Sequence, residues 1–153
     1  MDRIPEKVFE ITPRAVSIGC GEIYLYDKDE IADAQIGYRV YPDGRKIDDW
    51  LGDEYFVIAN NSTCGDPIFI NVAEKDYPVY YMFHDDWDTV MKIADSLDQY
   101  EQMLRALKGV DYTNSVSYMT ASETIEEINS KAYKLYWEDV ISIAVEFYLE
   151  DEE

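Results

Sequence analysis

The chain is poor in cations, cysteine and histidine, and it has no long apolar run. Of its 153 residues, 13 are Lys or Arg against 33 Asp or Glu, for a formal net charge of −20. A nucleic-acid ligand is held by cations that displace counterions from phosphates, and this deficit excludes that class. Docking on an anionic membrane surface is excluded on the same ground. The only cysteines are Cys20 and Cys64, and the only histidine is His84. Two cysteines make no disulfide framework in a chain long enough to hold a core, so small buried thiols in a cytoplasmic protein are expected. Cys64, in Ser-Thr-Cys-Gly-Asp, reads as a loop or core residue. No stretch approaches the roughly 18 apolar residues of a membrane span. The opening MDRIPEKVFE has no cationic region followed by an apolar block, so it does not read as a secretory signal.

Apolar residues make up 47% of the chain and aromatics 14%, with fourteen tyrosines. A disordered acidic segment would be poor in aromatics, so the composition indicates a folded domain. The length suits one domain over residues 1–153. The acid excess is open to two readings. It is a solvated surface, or a surface that meets a basic partner.

Residues 1–13 carry Pro5 and Pro13 and read as an irregular lead-in. Strands are expected over residues 18–26, 36–41, 54–60, 67–72, 79–84 and 89–95, each an apolar or alternating run bounded by turn signals such as Pro42-Asp43-Gly44. Residues 27–35 read as a short helix or turn. The short connections favour an antiparallel meander. Ser96 and Gln99 form a capping box that opens a helix with Leu97, Tyr100, Leu104 and Leu107 on one face and Gly109 as its stop. Thr120 and Glu123 read as a second capping box before Ile125 and Ile128. Residues 110–149 are helical by pattern, as two helices or one bent one. From Lys131 on, Tyr133, Tyr136, Trp137, Val140, Ile141, Ala144 and Tyr148 trace a broad face that Leu135, Ile143 and Phe147 widen. Such a face is core or a partner seam, including a possible homodimer seam.

Chemistry is sparse. His84 with Asp85, Asp86 and Asp88 is either a cation site or a solvated acidic turn, and the spacing fits no metal loop. A hydrolase would need this same histidine as its base, and no serine elbow is present. Gly19-Cys20-Gly21 lacks the further glycine or lysine of a nucleotide loop. Neither an enzyme nor a cofactor site is indicated. Aromatics beside acids (Trp50, Trp87, Tyr77, Tyr80, Tyr81) have the composition of an interface, or they fill the core. Tyr80 and Tyr81 cannot both point inward from a regular strand.

One ordered pattern runs through the middle of the chain. Trp50-Leu51-Gly52 and an apolar run at 55–58 precede Gly65-Asp66-Pro67-Ile68-Phe69-Ile70. Pro78-Val79-Tyr80 with His84-Asp85 follows, then Ile93-Ala94-Asp95-Ser96-Leu97 leading into a helix. Over about residues 36–107 this resembles the SUKH superfamily, which includes the Smi/Knr-type regulators of yeast and many bacterial immunity proteins. That family usually opens with a helix, a Leu-Pro segment and an Asn-Gly turn, of which residues 1–17 show no clear copy. The C-terminal helices are then expected to cover what that helix covers elsewhere. The resemblance implies an α+β fold with a bent central antiparallel sheet flanked by helices, and it implies no catalysis, cofactor or metal. It implies a bacterial, cytoplasmic immunity protein that neutralises a cognate, nuclease-type toxin through an acidic, aromatic-containing surface. Trp50, Asp66, Tyr80, His84, Asp85, Asp86 and Trp87 would form that surface, with the aromatics as anchors and the aspartates pairing toxin Lys or Arg. The alternative is a regulatory or scaffold module of the Smi/Knr kind, with no toxin partner. Trp50 and Asp66 also have structural readings, as a packed indole and a turn residue.

Overall fold

The computed structural model describes residues 3–19, 21–62, 65–129 and 134–151. Cys20, Cys64, Lys131 and Tyr133 lie outside the described residues, and so do the readings attached to them.

Six strands pair in chain order, each antiparallel to the last: β1 (Ala15–Ser17), β2 (Glu22–Leu25), β3 (Tyr55–Asn61), β4 (Asp66–Asn71), β5 (Val79–Phe83) and β6 (Asp86–Ala94). This is the expected meander. The register shifts between Val57 and Ala59 in β3 and at two places between β5 and β6. Such bulges bend a strand and raise its twist. β4 is buried along its whole length. Pro67 lies within β4, yet its missing N–H costs no ladder bond to β5, because the β4–β5 pairing begins at Ile68.

Two strand expectations are corrected. Residues 18–26 are not one strand. The Ile18 N–H donates to the Gly21 carbonyl at 2.9 Å, closing the turn between β1 and β2. Gly19 is required there twice over: its φ is +87°, and a Cβ would stand 3.0 Å from the Ala144 Cα. Residues 36–41 form isolated bridges, Ile36 to Val40 and Val40 to Lys46, rather than a strand. The N–H groups of Tyr38, Arg39 and Val40 all turn back onto the Gln35 carbonyl. The lead-in contains a 3-10 turn, Glu6–Phe9, and residues 27–35 end in another, Asp33–Gln35.

Helix α1 (Leu97–Leu107) starts where the capping box places it. The Ser96 hydroxyl accepts the Gln99 N–H at 3.0 Å, and the Gln99 side chain accepts the N–H of Asp95, one residue before the cap. Gly109, at φ +74°, follows its end. Residues 110–114 are a turn, and helix α2 is Ser115–Ile128. Thr120 is not its cap. The Asn114 side chain accepts from the N–H groups of Val116 and Ser117, and the Thr120 hydroxyl, mid-helix, donates back to the Val116 carbonyl at 2.6 Å. Asn114→Ala is therefore expected to destabilise by about 1 kcal/mol. Thr120→Ala should leave stability unchanged or slightly raised, since alanine is the better helix former. Urea denaturation of the two variants checks the assignment. Helix α3 (Lys134–Asp151) is separate from α2. No helix among the described residues is long and apolar enough to cross a membrane.

The period of two along the strands makes two cores. On one face Ile68, Ile70, Val79, Tyr81 and Ile93 pack against α1, against Tyr136, Trp137, Val140, Ile141 and Ala144 of α3, and against Ile4, Val8 and Ile11 of the lead-in. On the other face Val57, Phe69 and Met82 pack with Trp50, beneath a cover drawn from residues 26–51. Tyr80 and Tyr81 part as expected, Tyr80 to the second cluster and Tyr81 to the first. The cover is clamped by Gln35, whose buried side-chain amide donates to the Val57 carbonyl at 2.7 Å and accepts the Val57 N–H at 3.0 Å.

Candidate functional site

Five of the seven residues picked from the sequence gather at the β5–β6 turn. Asp66, at the start of β4, has a side chain only 5% exposed and is surrounded by donors. It accepts from the Tyr81 hydroxyl, from the His84 backbone N–H at 2.9 Å and from the His84 ring Nδ1 at 2.9 Å. The carboxylate can only accept, so Nδ1 carries the proton and the ring orientation is set. The His84 side chain is 48% exposed. Its hydrogen bond to Asp66 raises its pKa above the ordinary 6.5, against some desolvation and with help from the Asp85 charge.

The folded value lies above the ordinary one. The contribution of the charged His84–Asp66 pair to stability is therefore complete below about pH 6.5 and fades as pH climbs through the folded value. An NMR titration of the His84 ring should give a pKa above 6.5 that falls towards it in Asp66→Asn. An unshifted ring in the parent protein would mean that the pair does not form.

Asp66, His84 and Asp85 border a cleft of about 420 Å³ between the sheet and α3. Phe83, Tyr81 and Met91 line it on the sheet side, and Leu135, Tyr136, Asp139, Val140 and Ile143 line it on the helix side. Three of these apolar groups are open to water: Leu135 at 69%, Ile143 at 48% and Phe83 at 46%. Leu135, Asp139 and Ile143 follow at intervals of four, one stripe of α3. The sequence shows Leu135 and Ile143 as surplus to one buried face, but Asp139 has no local signal and was missed.

The remaining residues lead round to the second face. Asp86 opens β6 and is exposed. The half-buried Trp87 donates its indole N–H to the His84 carbonyl at 3.2 Å. Its ring meets Trp50 edge-on, with centroids 5.6 Å apart. Trp50 is 9% exposed, packs edge-on against Phe69 and donates its indole N–H to the Tyr55 carbonyl at 3.1 Å. Tyr80 stacks on Phe69, and burial with the nearby Glu74 carboxylate pushes its hydroxyl pKa up to about 12. Trp50 and Tyr80 thus lie in the covered cluster, while Trp87 joins that cluster to the turn. Among the described residues no group of three or more His, Cys, Asp and Glu side chains is placed to hold a metal ion.

The model of the SMI1 / KNR4 family (SUKH-1) matches residues 11–103, more than half of the chain. The protein belongs to that family. Neither a curated protein nor a solved structure matches the chain. The SUKH-1 match opens before β1, so it takes in the first hairpin as well as the pattern from residue 36 onward. It closes inside α1, so the α3 wall of the cleft lies beyond the matched residues.

Proposed function

We propose that this SUKH-1 protein is a non-enzymatic immunity protein of the bacterial cytoplasm. It would bind a basic, nuclease-type toxin domain and neutralise it by occupying the toxin's cationic site. The observation that carries this reading is the chemistry of the β5–β6 end. Exposed Phe83 and half-buried Trp87 stand among the exposed acids Asp85, Asp86 and Asp88, beside a cleft that Asp139 also borders. Apolar anchors ringed by charge of one sign are what a tight, electrostatically steered interface needs. Asp85 and Asp86 would pair toxin Lys or Arg. Asp66 and His84 would hold the turn in shape from beneath. Trp50 and Tyr80 would act through the packing of Trp87.

The test has two stages. The immobilised protein is exposed to lysate of related strains, retained proteins are identified, and each is then mixed with it at one-to-one stoichiometry. A basic toxin domain whose activity is abolished in that mixture supports the proposal. Its association should slow with added salt far more than its dissociation quickens. Retained partners with no toxicity would replace it with the regulatory or scaffold reading. A toxin neutralised with salt-independent rates would remove the acidic surface from the mechanism.

A further inference from the structure

We propose that the open edge of β6 takes up an extended segment of the partner protein, a strand in which lysine or arginine alternates with aliphatic residues. The inference rests on the partner-binding reading above and specifies the docking mode.

β6 is the last strand of the sheet and runs nine residues, against five in β5. Among the described residues, side-chain hydrogen bonds reach its main chain at the two ends: at the turn the Thr89 hydroxyl donates to the Asp86 carbonyl and the Asp86 carboxylate accepts the Asp88 N–H, and at the far end the Trp137 indole N–H donates to the Ile93 carbonyl at 2.8 Å. That contact marks where α3 closes the edge. From Thr89 to Lys92 no hydrogen bond from another loop or helix among the described residues covers the main chain. An uncovered row of backbone donors and acceptors is a template for another strand, and proteins usually guard it with a charged lysine or a proline. Here there is no proline in β6, and Lys92, 3.4 Å from Asp95, stands at the far end of the uncovered stretch.

The flanking side chains describe the guest. Val90 packs into the aromatic cluster on one face, while Met91 lines the cleft on the other. A strand laid against β6 would send alternate side chains to these two apolar surfaces. Those on the cleft side would pass between Asp85 and Asp139, and Asp86 and Asp88 stand at the open end. Four carboxylates around a half-apolar slot match an ammonium or guanidinium carried on an aliphatic stem. A second copy of this chain, itself carrying a charge of −20, is disfavoured as the guest.

The probe is the peptide acetyl-(Lys-Val)4-amide, with acetyl-(Glu-Val)4-amide as its control. The first should bind at low salt and weaken about tenfold or more at high salt, and the second should not bind. On binding, hydrogen exchange of the amides between Thr89 and Lys92 that face outward should slow at least tenfold. The double variant Asp85→Lys, Asp139→Lys, changed only at exposed sites, should weaken binding about tenfold or more while its unfolding midpoint stays near that of the parent. Failure of the lysine peptide to bind, or binding that leaves β6 exchange unchanged, overturns strand addition. Dimerisation of the free protein with a protected β6 would give the edge to a second copy and overturn it as well. A toxin that is neutralised while the β6 amides stay unprotected would sink this inference alone and leave the immunity reading standing.

Discussion

Trp137→Ala is expected to lower stability by about 3–5 kcal/mol, the range for truncating a buried aromatic. The indole is 1% exposed, lies against Tyr136 and Tyr100, and donates its N–H to the Ile93 carbonyl. Its removal opens a cavity between α3 and the sheet and leaves that carbonyl without its donor. Trp137→Phe separates the two effects, since it keeps most of the packing and should lose about 1–2 kcal/mol. Equilibrium denaturation measures both. A loss under about 1 kcal/mol for the alanine variant would mean that α3 is not docked on the sheet in solution.

Asp66→Ala should cost about 2–4 kcal/mol, from the Tyr81 hydroxyl and the His84 backbone N–H left without their acceptor. Tyr81→Phe combined with Asp66→Ala should lose less than the two single changes summed, because both remove the same bond. Asp66→Asn keeps an acceptor and should be milder. This variant also decides the residue's role. If Asp66→Asn folds as well as the parent yet no longer binds the partner that the proposed function calls for, Asp66 touches that partner. If binding falls only as stability falls, it supports the turn from within.

The legible parts of the fold were those with local causes. β3, β4 and β5 are apolar runs ended by Gly-Asp-Pro and Tyr-Pro breaks, and α1 carries its own cap. The strand expected over residues 18–26 takes in β2 and the turn before it and leaves out β1, because Gly19 and Gly21 sit in an otherwise apolar run, where one tight turn leaves little composition to mark it. Thr120 satisfied the spacing of a cap, but Asn114 lay one turn and a half earlier with two donors to accept. The segment at residues 36–41 alternates as a strand does, while its backbone folds onto Gln35 instead. At the site, the proximity of Asp66 to His84 was implied only by the family pattern. The cleft itself needed α3 to be placed, and no periodicity tells a helix which strand it will face. Asp139 therefore stayed invisible, and so did the open edge of β6, because an edge is defined by what fails to pair with it.

The Gln35 clamp sets a clock inside the sheet. In most of a β-ladder an amide hydrogen waits for neighbouring strands to part before it meets water. The Val57 N–H instead waits on a side chain that belongs to the cover, at the bulge where the register with β4 slips. Its release should then need only the lifting of residues 26–51, a smaller event than the opening of the sheet. That arrangement would let the aromatic cluster open while the six-strand ladder stays closed. Exchange of the Val57 N–H ahead of the other paired amides of β3 is the expected sign of such an opening.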